Sequence, residues 1–310
     1  MKHFRILLII TALLSVGINV QAKKYVLKYN LEAGNKFSFE HTLKQDITQD
    51  VMGQSQVITN TTTMKYLFEV IELDGDGNFL IGVHIGAIKF KMDNDFINMD
   101  YDSERDEEAP DGLESLAAIL KVPIKILLSS EGEIMEMRDT EKYLEMVNKA
   151  MGGEENMATQ MVSGATSQMT SEEGLKNQMG SFFFKYPDKK LKIGESWMNE
   201  SESMQMVEFK AITENTLVEA NEEKAVIKQA VKFEQMELAE GMEMEGMTMN
   251  YDLSGRREAG NQLDINTGLI SNVDAITEIS GVISIESPQL PTPMSIPMTI
   301  KITETIEQVK

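Results

Sequence analysis

The sequence has no cysteine, and its 310 residues include one tryptophan and three histidines. The absence of cysteine excludes disulfides, thiol catalysis, zinc sites built on thiolates and a lipid anchor on cysteine. His41 lies in an apolar alternation, which predicts a hydrogen-bonded core residue, whereas His84 falls on a polar strand face. A histidine metal site or a histidine-based triad is therefore not predicted, and we expect no cofactor and no catalytic residue.

Basic residues are also scarce, with 29 Lys and Arg against 50 Asp and Glu and a formal net charge of −21. Nucleic-acid binding needs a basic surface, so this charge excludes that class, and it argues against attachment to anionic lipid. Carboxylates are abundant enough for a chance pair that could serve an acid-based hydrolase. Sugar clefts also use aromatic platforms, and one Trp and seven Tyr provide few. We predict that the protein is not an enzyme.

Only the N-terminus contains a long apolar run. Lys2 and Arg5 precede the apolar segment 6–14, and Val20-Gln21-Ala22 then supplies a cleavage pattern. This order predicts a signal peptide over residues 1–22, removed before Lys23. The run is too short to span a bilayer, and no other segment approaches about 20 apolar residues. We expect a soluble mature chain that does not span the membrane and is periplasmic or secreted.

Alternation of apolar and polar residues with a period of two dominates the rest of the sequence and predicts half-buried strands. The clearest example runs from Met298 to Glu307. Segments 65–73 and 79–92 form another pair around the turn at 74–78, and a change of apolar phase near Ala87 predicts a β-bulge. Further strands are predicted at 24–30, 36–49, 123–128, 195–210, 224–238, 247–265 and 269–285.

Helical patterns concentrate in the middle of the chain. Asp111, Thr140 and Ser171 each precede an apolar face with helical spacing. The predicted fold class is mainly β (α+β), with two related antiparallel curved-sheet halves and a helical insertion between them. The predicted division is a signal peptide at 1–22, an N-terminal β unit at 23–137, a helical and flexible insertion at 138–185 and a C-terminal β unit at 186–310.

Short matches recur in the same order in both halves and predict an internal duplication. If the halves are copies, Trp197 takes the place of Phe37, and Tyr251 that of Tyr101. The alternative is that any two β-rich segments share the same pattern of strands and turns. The clearest matches are Leu31, Gly34 and Phe37 with Leu191, Gly194 and Trp197, residues 99–102 with 249–252, and residues 130–134 with 266–270.

The same segments carry a family resemblance. Three motifs, L-K-I-G-E-S-W at 191–197, M-N-Y-D-L-S-G at 249–255 and N-T-G-L-I at 266–270, resemble a domain-of-unknown-function family of exported Gram-negative proteins. The N-terminal Y-x-L-K-Y-N-L-E-A-G and the stretch from Gln45 to Gln56 fit it too. The resemblance covers most of the mature chain and implies an envelope location and a β-rich fold. It implies no activity and supplies no site residue.

Methionine is unusually abundant, with 23 residues against 21 glycines. Its densest stretch provides the candidate ligand-binding residues, which are Met236, Met242, Met244, Met247 and Met249. Packing in a soft core is the default interpretation of this stretch. The second is a surface on which flexible thioethers accept varied apolar ligands. The third is a Cu(I) site, since thioethers are soft ligands, but no metal is predicted here.

The first functional hypothesis is a non-catalytic periplasmic binding protein for a hydrophobic small molecule or an apolar segment of an envelope protein. The alternative is a structural or assembly factor that presents sheet edges or its acidic surface to other envelope proteins. An acid-based hydrolase and a methionine-type Cu(I) binder rank below both. A deep apolar pocket lined by methionines would favour the first, and filled sheets with an exposed edge the second.

Overall fold

The computed structural model describes residues 23–51, 53–94, 98–120, 122–151, 171–204, 208–235, 242–244, 247–287 and 292–310. The helices in these ranges are α1 (Glu114–Ile119), α2 (Thr140–Met151) and α3 (Glu172–Gly180). The strands are β1 (Lys36–Val51), β2 (Gln54–Leu73), β3 (Phe79–Asp93), β4 (Asn98–Asp102), β5 (Ile124–Leu128), β6 (Ile134–Arg138), β7 (Ser196–Met204), β8 (Glu208–Ala220), β9 (Lys224–Gln235), β10 (Met242–Met244), β11 (Met247–Asp264), β12 (Ile270–Glu286) and β13 (Met294–Val309).

All these strands belong to one 13-stranded antiparallel sheet, in the order β6-β5-β3-β2-β1-β13-β12-β11-β9-β8-β7, with β4 on β3 and β10 on β11. The predicted mainly β class is confirmed. The two predicted halves form one continuous sheet, because β1 pairs with β13 and joins them. Both strands carry the same alternation, so the pairing aligns their apolar faces and leaves neither as an edge.

One face of the sheet, here called the core face, carries the apolar residues. Side chains alternate between faces along a strand. His41 of β1 therefore shares its face with its partners Met64 of β2 and Ile306 of β13, and all three are buried. The helices pack over one end of this face. The resulting core cluster contains residues of both halves, such as Phe37 and Leu263. The two halves thus share one core.

Two predicted strands differ in the structure. Residues 24–30 form an extended segment rather than a strand, with one isolated bridge between Tyr25 and Leu191. The segment packs Leu27, Tyr29 and Leu31 into the core. The predicted strand at 195–210 is two antiparallel strands, β7 and β8. The second half of β7, Asn199 to Ser203, consists only of polar and acidic residues, so it has no apolar phase that could reveal the reversal.

Several local predictions are confirmed. Lys65 pairs with Ala87 and Tyr66 with Ile85, so Gly86 is the extra residue of the predicted bulge. The Ser171 hydroxyl accepts a hydrogen bond of 3.0 Å from the Gly174 amide and caps α3.

The predictions of the other two helix starts differ in accuracy. α2 begins at the predicted Thr140, whereas α1 begins at Glu114 rather than next to Asp111. Within the described ranges, no helix is both long and apolar enough to cross a bilayer.

Candidate functional site

Beyond the helix-covered core, the core face carries a second apolar group, which we call the lower apolar face. Its members all come from strands, and no described helix contributes one. Its buried residues are Phe209, Ala211, Val231, Phe233, Leu253, Ile279, Met298 and Ile300, and its half-buried residues are Ile47, Tyr251, Ile283 and Ile302.

The lower apolar face follows directly from strand alternation and register. On β13, Ile300 pairs with Ile279 of β12, and Ile296 pairs with Ile283. The first pair is buried, whereas Ile296 and Ile283 are half-buried. The apolar surface therefore continues outward from a buried floor to a rim that solvent reaches. Contiguous apolar surface of this kind marks a binding surface more often than a scattered exposed residue does.

A row of polar side chains separates the lower apolar face from the helix-covered core. His41 Nε2 donates to Glu304 Oε1 at 3.0 Å, and Arg257 Nη2 donates to Glu304 Oε2 at 2.8 Å. A second Arg257 nitrogen donates to Gln229 Oε1, and Gln229 Nε2 donates to Asn215 Oδ1 at 3.1 Å. The prediction of a hydrogen-bonded core histidine is confirmed for His41, which exposes 4% of its surface.

The charges in this polar row balance each other. Burial by itself would raise the pKa of Glu304, but the hydrogen bond from His41 and the positive charge of Arg257 outweigh it and lower that pKa to about 2. Glu304 is therefore an anion at neutral pH and is paired with Arg257. A general acid at that pH needs a raised pKa instead.

The structure brings most of the candidate methionines together through their backbones. Met242 pairs with Met249, and Met244 pairs with Met247, between β10 and β11. Met249 is half-buried, and its sulfur accepts a hydrogen bond of 3.5 Å from the Tyr251 hydroxyl. Met249 thus extends the core face beyond the lower apolar face. Met236 lies outside the described residues.

Sequence reasoning missed the polar row, although one signal was available. Glu304 stands between Ile302 and Ile306, where the alternation of β13 requires an apolar residue. Its partner Arg257 lies 47 residues away in sequence and is brought close only by the strand order. Phe209 and Phe233 were missed as well, because they join a shared apolar face with Ile279 and Ile300 only when distant strands align in the sheet.

Two cavities of the described region lie against the opposite face of the sheet. The first has a volume of about 680 Å³, and its lining includes Gly260 and Ile276. The second has a volume of about 890 Å³, and its lining includes Leu67, Ile71 and His84. Neither is lined by methionine. Among the residues with described positions, no group of His, Asp and Glu could hold a metal ion.

The chain belongs to a family of unknown function, DUF6263, whose model matches residues 76–270. No curated protein matches the sequence.

Solved structures that match the chain include lipovitellin, in a study of its lipid–protein interactions, with 8% identity and a TM-score of 0.49 over 91% of this chain. This chain spans 26% of that lipovitellin chain. OccK5 (OpdH) from Pseudomonas aeruginosa has 7% identity and a TM-score of 0.26, over 89% of this chain and 99% of its own.

Proposed function

We propose that the protein is a non-catalytic binding protein for a hydrophobic small molecule, exported to the periplasm, and that the ligand contacts the lower apolar face. The observation that carries this proposal is the apolar floor and half-exposed rim of that face, to which no described helix contributes. Removing apolar surface from water contributes roughly 25 cal/mol per Å², so an apolar chain laid along the rim would gain affinity without any polar contact. The half-buried Met249 at the far end of this face adds an adaptable contact.

We also propose that the two halves arose by duplication. Equivalent turns support this. Gly34 and Gly194 have φ of 87° and 86°, and each donates a backbone hydrogen bond of 2.7 Å, to Val70 and Leu217 respectively. Register shifts follow Val70 in one half and Leu217 in the other. Phe37 and Trp197, each three residues after its glycine, are both buried.

The binding proposal is tested by a charge placed on the rim of the lower apolar face. Ile283→Arg should weaken the binding of the apolar dye Nile red roughly tenfold, because about 1.5 kcal/mol of apolar contact is lost. The matched control is Ile276→Arg, on the same strand but on the opposite face, where Ile276 is 48% exposed. Fluorescence titration of both variants measures the difference. Loss of dye binding in the Ile276 variant alone would place the ligand in the cavity on the other face and overturn the proposal.

The open sheet favours one alternative function, an assembly factor that pairs an edge strand with a strand of another envelope protein. β7 ends the strand order, and no described strand pairs with its outer side. Strand addition to an exposed sheet edge is a common recognition mode, and the acidic residues of β7 would restrict it to a partner strand of complementary charge. Met198 of β7 is 58% exposed and would lie next to the added strand.

The chain has no natural cysteine, so Met198→Cys would carry a single photo-crosslinker. If β7 pairs with a partner strand, this variant should crosslink to one envelope protein in a fixed ratio. The control is Ile276→Cys, in the middle of the sheet. Equal labelling from both positions, measured by mass spectrometry, would eliminate the alternative.

A further inference from the structure

Two neighbouring donors are among the buried hydrogen-bonding groups that lack a partner in the described residues. They are the indole Nε1 of Trp197 and the amide Nδ2 of Asn215. Asn215 is fully buried, and Trp197 is 8% exposed. The two residues are direct partners in the β7–β8 register, so both side chains stand side by side on the core face. A buried donor without an acceptor is unfavourable by about 1–3 kcal/mol. Two such donors side by side therefore form a candidate binding site for an acceptor oxygen of a ligand.

The surrounding groups indicate what kind of oxygen fits. Asn215 Oδ1 is already used by Gln229, and Gln229 Oε1 is used by Arg257. Arg257 is in turn neutralised by Glu304. The two free donors are therefore uncharged and have no unmatched positive charge beside them. An anion would lose its hydration without gaining a counter-charge, whereas a neutral carbonyl oxygen would only exchange water for two N–H donors.

The position of the donors indicates where the carbonyl comes from. Along β7 the core face opens, from buried Trp197 through half-buried Asn199 to exposed Ser201. On β8, Ala211 lies four residues before Asn215, on the same face, and belongs to the lower apolar face. Trp197 belongs to the helix-covered core, with its ring centroid 6.0 Å from that of Phe184, and Asn215 ends the polar row. The donors thus lie at the end of the polar row, close to a sheet edge and one strand position short of the lower apolar face. A polar head group of an apolar ligand bound along the lower apolar face would lie here.

We infer that the ligand of the lower apolar face carries a neutral carbonyl, as in a fatty ester, whose oxygen accepts hydrogen bonds from the Trp197 indole and the Asn215 amide. This inference rests on the proposed function and adds the chemical class of the ligand. It makes Trp197 and Asn215 the residues that select an acyl ester over a plain hydrocarbon of the same length.

The test compares methyl laurate, laurate and dodecane as competitors of Nile red on the full chain. Methyl laurate should bind about tenfold more tightly than dodecane, since hydrogen bonds to two otherwise unpaired donors contribute on the order of 1.4 kcal/mol. Laurate should bind no better than the ester. Trp197 is the sole tryptophan, so its emission should shift with the ester and not with dodecane. This wild-type comparison requires no variant to fold.

Trp197→Phe keeps an aromatic ring and removes the N–H, and it should reduce the preference for the ester to roughly threefold. The control is Tyr143→Phe, which removes a buried hydroxyl that also lacks a described partner and should leave the preference unchanged. Equal binding of ester and dodecane, with a water satisfying the donors, would overturn the inference but not the binding function. Failure of Nile red and of every competitor to bind would instead overturn the proposed function itself.

Discussion

Replacing Glu304 by alanine is expected to destabilise the protein by about 3–5 kcal/mol, because the charge of Arg257 is then left largely buried and unpaired. The Arg257 side chain is 19% exposed and that of Glu304 11% exposed, so water can replace the lost carboxylate only poorly. His41 loses its acceptor in the same variant. Urea unfolding followed by circular dichroism measures the change in the free energy of unfolding.

The matched control is Glu307→Ala, on the same strand but exposed on the opposite face. It should change stability by no more than about 0.5 kcal/mol. Replacing both charged partners, with Glu304→Leu and Arg257→Met, should recover much of the loss, because a buried ion pair is often no more stabilising than apolar residues of similar size. A loss below about 1 kcal/mol for Glu304→Ala would show that solvent reaches the polar row.

The pH dependence of stability provides a second measurement on the same residue. The pKa of Glu304 falls from its ordinary 4.5 to about 2 in the folded protein. A lowered pKa means that Glu304 stabilises the fold above about pH 4.5, and that this contribution is lost as the pH falls from 4.5 through 2. The difference corresponds to roughly 3 kcal/mol. Subtracting the Glu304→Gln curve from the wild-type curve isolates it from the other carboxylates, and a flat difference would contradict the assignment.

The strands could be predicted from the sequence because alternation is a local signal. β13 is recognisable from Met298 onward, and the phase change near Ala87 correctly predicts the bulge at Gly86. The pairing of β1 with β13 could not be predicted in the same way. The two strands lie at opposite ends of the chain, and their register depends on long-range packing rather than on local sequence.

The candidate site was harder to predict than the fold for the same physical reason. The methionine stretch was predicted as the candidate site because its methionines are close together in sequence. The structure instead assembles the lower apolar face from six strands that each contribute only one to three members, such as Phe209 and Leu253. The free donors of Trp197 and Asn215 are visible only when burial and hydrogen bonding are known together.

The segment after α3 also shows the limit of periodicity. Phe182 and Phe183 continue the helical spacing of α3, yet the helix ends at Gly180. The Ser181 amide bonds back to the Gln178 carbonyl, and the chain then becomes extended. Tyr29 fixes this segment, since its hydroxyl accepts a hydrogen bond of 2.6 Å from the Phe184 amide. Tertiary contacts therefore override the local helical preference at this point.

Phe182→Ala is expected to have the other large effect, a loss of about 3–5 kcal/mol. The Phe182 ring is fully buried, and its centroid lies 4.6 Å from that of Tyr66 and 5.5 Å from those of Phe39 and His41. Removing the ring leaves a cavity among aromatic side chains that can close only partly. Calorimetry or urea unfolding measures the loss.

Two controls separate packing from other causes. Phe182→Leu retains most of the apolar volume and should lose only roughly 1–2 kcal/mol. Met135→Ala, at a site 53% exposed, should stay within about 0.5 kcal/mol of the wild type. Because Phe182 belongs to the helix-covered core and not to the lower apolar face, Phe182→Leu should bind Nile red as the wild type does, while Ile283→Arg should bind it roughly tenfold more weakly. If Phe182→Leu abolished dye binding while remaining folded, the ligand would have to sit beneath the helices, and the lower apolar face would lose its role.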